Sequence, residues 1–201
     1  MSNRYMNVHS FPKKQAAVLV AGKQLFWKFG FKKVTVEEIC KTAGISKMTF
    51  YKFYPDKLTL AKSIYSAEVQ NGMIKFKEVM QSDKSAAVKM EMIMKLKSEA
   101  TENISKEFLI DFYGDEETGL KQFITATTNN YIEQIIEEFK NAQARGDFRQ
   151  DFKPEFVMYI SQRIVDSIND PYLLELCGNP QEVILQLARL FTFGIAPHQN
   201  S

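Results

Sequence analysis

Residues 42–57 read TAGISKMTFYKFYPDK. A single glycine, Gly44, precedes Ser46, a residue type whose side-chain oxygen caps helix N-termini. Two turns later Pro55 ends any helix, because it has no backbone N–H to give and its ring clashes with the preceding turn. The stretch therefore predicts a tight turn and a short helix through about Phe53. Immediately upstream, Thr35 and Glu38 stand at capping-box spacing, so Val36 to Ala43 is predicted as another short helix. Two short helices joined through Gly44 and Ile45 have the proportions of a helix-turn-helix. In such a unit Ile45, Phe50 and Phe53 turn inward, while Lys47, Met48, Thr49, Tyr51 and Lys52 face out. DNA recognition uses this mixture: cations and hydroxyls position the helix on phosphates, and a few side chains near its start touch base edges in the major groove.

The charge distribution agrees. The net charge of the 201-residue chain is only +2, yet residues 1–65 carry twelve lysines and arginines against three acids, and residues 66–201 carry fourteen against twenty-one. A cationic first third on an acidic body implies a polyanionic partner for the N-terminal part. A basic face that is merely solvated is the plain alternative.

Most of the six prolines and nine glycines fall between segments of helical periodicity, and few stretches alternate with period two. The expected fold is all-α with about nine helices: 13–29, 36–43, 46–53, one from near Asp56 to Met80, 86–100, 105–113, 120–145, 154–169 and 180–195. The helix after Pro55 carries Leu58, Ala61, Tyr65, Val69, Met73, Phe76 and Met80 as one continuous stripe.

Other classes are poorly supported. The histidines, His9 and His198, lie near the ends, and neither nucleophile–base nor zinc-ligand spacing is present. An enzyme, a metal site and a cofactor are therefore not expected. GDEETG lacks the ligand alternation of a calcium loop. No apolar run approaches the roughly 20 residues that span a bilayer, and MSNRYMNVHSFPKK has no signal-peptide core. Cys40 and Cys177 read as reduced core thiols. The expectation is a soluble, cytoplasmic protein with no membrane partner.

From VLVAGKQLFWKFGF through VTVEEICKTAGISKMTFYKFYPDKLTL, roughly fifty residues, the chain resembles the N-terminal DNA-binding domain of TetR-type transcriptional regulators. The resemblance rests on Ala21 and Gly22 ahead of Leu25 and Phe26, Gly30 with Phe31, Thr35 and Ile39, and Ala43 and Gly44 through Ser46, Thr49, Phe50 and Tyr51 to Lys57 and Leu58. It implies that Thr35 and Tyr51 contact phosphates, that Ser46, Lys47, Met48 and Thr49 enter the groove with Lys52 beside them, and that Lys57 anchors a phosphate. It departs at Met48, where a glycine is common, at Cys40 and Gly22, where alanine is frequent, and at Tyr54. The implied division is a DNA-binding domain over 1–57 and a helical ligand-binding and dimerisation domain over 58–201.

Beyond about residue 65 the resemblance is architectural. It implies a homodimer built on the last two helices, with Val157, Ile160, Ile164 and Ile168 on one stripe and Ile184, Leu187, Phe191 and Ile195 on the other. It also implies a cavity for a small hydrophobic or amphipathic effector, with Met90, Met94, Phe108, Phe112, Tyr113, Phe123, Tyr131 and Arg163 as candidate lining; ordinary core packing is the competing reading of each. The expected function is a repressor released from double-stranded operator DNA by that effector. The alternative is a DNA-binding protein of the same fold without a sensor.

Overall fold

The computed structural model describes residues 11–114, 117–165 and 170–194. Among them lie ten helices and no strand: α1 (Lys13–Phe29), α2 (Val36–Ala43), α3 (Lys47–Phe53), α4 (Lys57–Gln81), α5 (Ala86–Ala100), α6 (Lys106–Tyr113), α7 (Leu120–Ala144), α8 (Pro154–Val165), α9 (Pro171–Cys177) and α10 (Pro180–Gly194). The chain packs as two compact units. One holds residues up to 71 together with 103–127, the other 72–102 together with residues from 128 onward. By packing, then, the chain divides elsewhere than at residue 57.

In the first unit, local chemistry sets the helix ends. The capping box is complete: Glu38 N–H donates to Thr35 Oγ1 at 3.2 Å, and Thr35 N–H donates to Glu38 Oε2 at 2.8 Å. Gly44 ends α2 in the left-handed region (φ 66°), where a Cβ would be strained. Ser46 Oγ then accepts the N–H of Thr49 at 3.2 Å and starts α3. Val18, Leu19, Phe26, Ile39, Phe50, Leu60 and Ile64 are fully buried, each such side chain contributing about 1.5–3 kcal/mol. Gly22 sits where α1 meets α4; a Cβ there would lie 2.8 Å from Ile64 Cδ1. Close helix approach thus offsets the roughly 1 kcal/mol that a helix-interior glycine costs against alanine.

The helix α6 completes this unit. Trp27 packs on Phe108 (ring centroids 4.4 Å apart), Phe108 stacks on Phe112 (4.3 Å), and Phe112 meets Phe26 (6.1 Å). Ser105 N–H donates to Trp27 O at 2.9 Å. The buried carboxylate of Asp111 accepts the backbone N–H of Lys32 at 2.8 Å.

In the second unit, Met80, Met90, Phe139, Ala142 and Phe148 form a buried cluster covered by Phe76, Ile93, Ile135, Phe152, Val157 and Met158. Buried Lys89 on α5 donates to Asp147 Oδ2 at 2.5 Å. Arg145 donates to the same carboxylate oxygen at 3.1 Å and to Met80 O at 2.7 Å, which ties the turn after α7 to the end of α4.

The helix count differs from the expected nine. Helix α9 lies in a stretch read as a connection, although Asp170 caps it, Pro171 opens it and Gly178 (φ 80°) closes it. With seven residues and none of them buried, it has no stripe for periodicity to detect. Cys177 on α9 is only half-buried, unlike Cys40, and so is not the core thiol expected.

Candidate nucleic-acid interface and effector-binding residues

Helix α3 divides cleanly around its axis. Phe50 is fully buried, with Tyr54 edging against it at 6.0 Å. Lys47, Met48 (73% exposed), Tyr51 (54%) and Lys52 cover the outer arc. Ser46 and Thr49 join the cap; their hydroxyls lie 3.0 Å apart, and Thr49 is half-buried. Thr35 is exposed at the start of α2, where the unpaired N–H groups of a first turn favour an anion.

The sequence reading missed Glu37. Its carboxylate accepts from Lys47 Nζ at 2.7 Å across the gap between α2 and α3. That hydrogen bond and the lysine's charge hold the Glu37 carboxyl below its ordinary value and raise Lys47 in return. Both groups are largely exposed, so the pair adds little stability, but it places an acid at the edge of the cationic arc. The ten-residue separation, across a turn, gives no periodic signal.

In the chain without DNA, Lys57 has other partners than a phosphate. Its ammonium donates to Phe31 O (2.6 Å), Val34 O (2.7 Å) and Lys32 O (3.3 Å), which uses its three N–H groups. Desolvation lowers its pKa, opposed by the charges of Asp111 and Glu38. Beside it the α4 N-terminus is already capped by an acid, since Thr59 N–H donates to Asp56 Oδ1 at 2.6 Å. Lys57 braces the loop between α1 and α2.

Among the candidate effector residues, three are packing residues. Met90 belongs to the cluster of the second unit, and Phe108 and Phe112 to the aromatic stack under Trp27. Arg163 is exposed on α8, its guanidinium 5.3 Å from the Tyr159 ring centroid, and so points away from the unit's interior. Met94, Tyr113, Phe123 and Tyr131 are half-buried. In the first unit Tyr113 interacts with Tyr65, and burial raises its phenol well above the ordinary value; Lys62 Nζ lies over the Phe123 ring at 5.5 Å.

The most exposed apolar side chains of α8 and α10 are not those of the two expected stripes. Val157 packs against the intrachain cluster, whereas Phe156 (65% exposed) and Tyr159 (54%) on α8 and Leu190 (66%) and Phe193 (59%) on α10 stand in the open. Ile160, Ile184 and Leu187 are half-buried. Ile168 and Ile195 lie outside the described residues, as do the side chains of Ile164 and Phe191.

With a turn-linked helix pair, a buried Phe50 and a cationic outer arc in place, residues 18–64 also match the family of bacterial regulatory proteins described as the tetR family. The N-terminal domain belongs to the TetR family. No curated protein matches the chain. The fold is that of solved TetR-family regulators. It is similar to the fatty acid degradation regulator FadR of Bacillus halodurans (15% identity, TM-score 0.69, covering 92% of this chain and 97% of that one). It is also similar to Bacillus subtilis FadR in complex with stearoyl-CoA (13%, 0.66, 89% and 98%) and to reduced Escherichia coli NemR (15%, 0.65, 93% and 100%). The TetR family and these neighbours are transcriptional regulators, not enzymes. Among the described residues, no helix is long and apolar enough to cross a membrane.

Proposed function

We propose that this TetR-family protein is a cytoplasmic, homodimeric repressor whose affinity for operator DNA falls when a small hydrophobic or amphipathic effector binds its C-terminal helices. The observation that carries the reading is the outer arc of α3, where Lys47, Met48, Tyr51 and Lys52 project from a helix anchored by a fully buried Phe50. One helix of seven residues makes few base contacts, so recognition needs a second copy on a second half-site. The large apolar side chains left open on α8 and α10 supply a surface for that copy. The stearoyl-CoA complex of B. subtilis FadR supports an effector, since that fold houses an amphipathic ligand.

Anisotropy titrations with duplexes tiled across the DNA flanking the protein's own coding region test the DNA-binding half. One fragment should bind well above a scrambled control, with log affinity falling by about 0.9 per neutralised phosphate against log salt. Equal binding to all duplexes would sink the operator reading. For the sensor half, compounds that raise the melting temperature should lower affinity for that fragment; stabilisation with unchanged DNA affinity would leave a DNA-binding protein without a sensor.

A further inference from the structure

The chain passes between its two units three times: at Asn71–Gly72 inside α4, at Glu102–Asn103 between α5 and α6, and at Thr127–Thr128 inside α7. Each passage falls on residues that weaken regular structure. Gly72 is exposed, and a Cβ there would have no neighbour within 4 Å, so no close approach demands a glycine as it does at Gly22. Asn103 takes a left-handed backbone (φ 62°) in the turn before α6, a conformation that asparagine tolerates better than most residues. In α7, residues 125–130 read TATTNN, and threonine and asparagine are poor helix formers.

On either side of this interval α4 and α7 are held within one unit. In the first unit Leu60 and Ile64 are fully buried, Lys23 pairs with Glu68 at 2.6 Å, and Lys62 Nζ lies over the Phe123 ring at 5.5 Å. In the second, Lys77 donates to Gln134 and Gln81 to Glu138, each at 2.8 Å, and the Phe76 and Phe139 rings meet at 5.9 Å. Residue 62 is beside 123 and residue 77 beside 134, so the two helices run in the same sense and their weak stretches fall at the same level. Gln70, Gly72, Asn129 and Asn130 are all exposed there.

Resting on the dimeric operator-binding reading above, we propose that Gly72, Asn103 and residues 125–130 form a hinge that lets each DNA-binding unit adjust to the spacing of the two half-sites. A hinge needs a few positions that absorb backbone change while the packed bodies on either side stay intact. Local opening is easiest where few buried contacts hold the helix. Moving a half-site by one base pair shifts it about 3.4 Å and turns it about 35° around the duplex. A rigid dimer would lose base contacts on such a site, whereas a hinged one follows it. Because residues 103–127 pack in the first unit, α6 moves with the DNA-binding helices.

The test uses full-length protein. Amides 73–76, whose helical hydrogen bonds span Gly72, should exchange with solvent deuterium about tenfold faster than amides 62–65 and 77–80. Gly72→Ala should remove most of that difference and raise the melting temperature. Duplexes are then made from the fragment that binds, with its two half-sites at native spacing and one base pair closer or farther. Wild type should bind all three within about tenfold, whereas Gly72→Ala combined with Asn130→Ala should hold one spacing and lose about tenfold more than wild type on the others. Asn141→Ala, a similar gain in helix propensity at an exposed position of α7 outside the interval, should stabilise without narrowing the tolerance. Uniform exchange along α4, a melting temperature lowered by Gly72→Ala, a wild type that rejects both altered spacings, unchanged tolerance in the double variant, or equal narrowing by Asn141→Ala would each overturn the proposal. Binding of no duplex above a scrambled control would sink the operator reading instead, and the exchange pattern alone would then decide the hinge.

Discussion

The ammonium of Lys57 lies 4.4 Å from the centroid of the Phe31 ring and donates to the carbonyl oxygen of that same residue at 2.6 Å. With the bond from Lys32 N–H to Asp111, the connection between α1 and α2 is held from α4 on one side and α6 on the other. Lys57→Met should therefore cost stability, about 1–3 kcal/mol for carbonyls left without their charged donor. The salt slope of DNA binding should stay that of wild type. A slope shallower by about 0.9 per subunit at unchanged stability would return Lys57 to the phosphate contacts.

Glu37 restrains Lys47 in the free protein. Glu37→Gln should tighten binding to all duplexes alike and steepen the salt slope by about 0.9 per subunit, as the released lysine neutralises a phosphate. Met48→Ala, by contrast, should leave the slope alone and change preference by about 1 kcal/mol at one symmetric pair of operator positions. Uniform weakening in a duplex panel would mark Met48 as structural instead.

Leu190 and Phe156 test the subunit contact. Leu190→Glu or Phe156→Glu should shift sedimentation from dimer to monomer while the helical circular dichroism signal persists, since both side chains are open in the single chain and their replacement leaves the fold intact. Dimers that survive both substitutions would place the contact elsewhere.

Asp147 links stability to pH. Hydrogen bonding from Lys89, helped by that from Arg145, depresses its pKa below the ordinary 3.8, although partial burial works the other way. The contribution is therefore fully present above that ordinary value and is lost as pH falls through the depressed folded-state pKa. Asp147→Ala strands a buried Lys89 and should cost about 3–5 kcal/mol near neutrality. Urea midpoints of wild type and variant should stay apart by a constant amount above about pH 5 and converge in stronger acid. Parallel curves down to pH 2 would rule out the linkage.

The parts legible in sequence were those whose causes are local. Thr35 with Glu38, Gly44, Ser46 and Pro55 each act within four residues, so the helix-turn-helix could be bounded from its own residues. Burial of Phe50 and exposure of Met48 follow from the same register. The sequence is least informative where a distant segment decides. Lys57 looks like a surface cation until the carbonyls of residues 31–34 fold over it, and Met90 differs from Met94 only in what other helices bring to it. On α8 the spacing of Val157, Ile160 and Ile164 is more regular than that of Phe156 and Tyr159, so periodicity selected the stripe that begins at Val157, a residue packed on the intrachain cluster.

The docking of α6 under Trp27 makes the DNA-binding unit discontinuous in the chain: its core closes only when residues 103–127 return to it. The head of this regulator is consequently not a cassette. A chimera that grafts residues 1–71 onto a foreign body would expose the undersides of Phe26, Trp27 and Phe31, and would leave Lys32 N–H without its acceptor. Any exchange of DNA specificity, in the laboratory or by recombination, has to carry both segments or confine itself to the outer arc of α3.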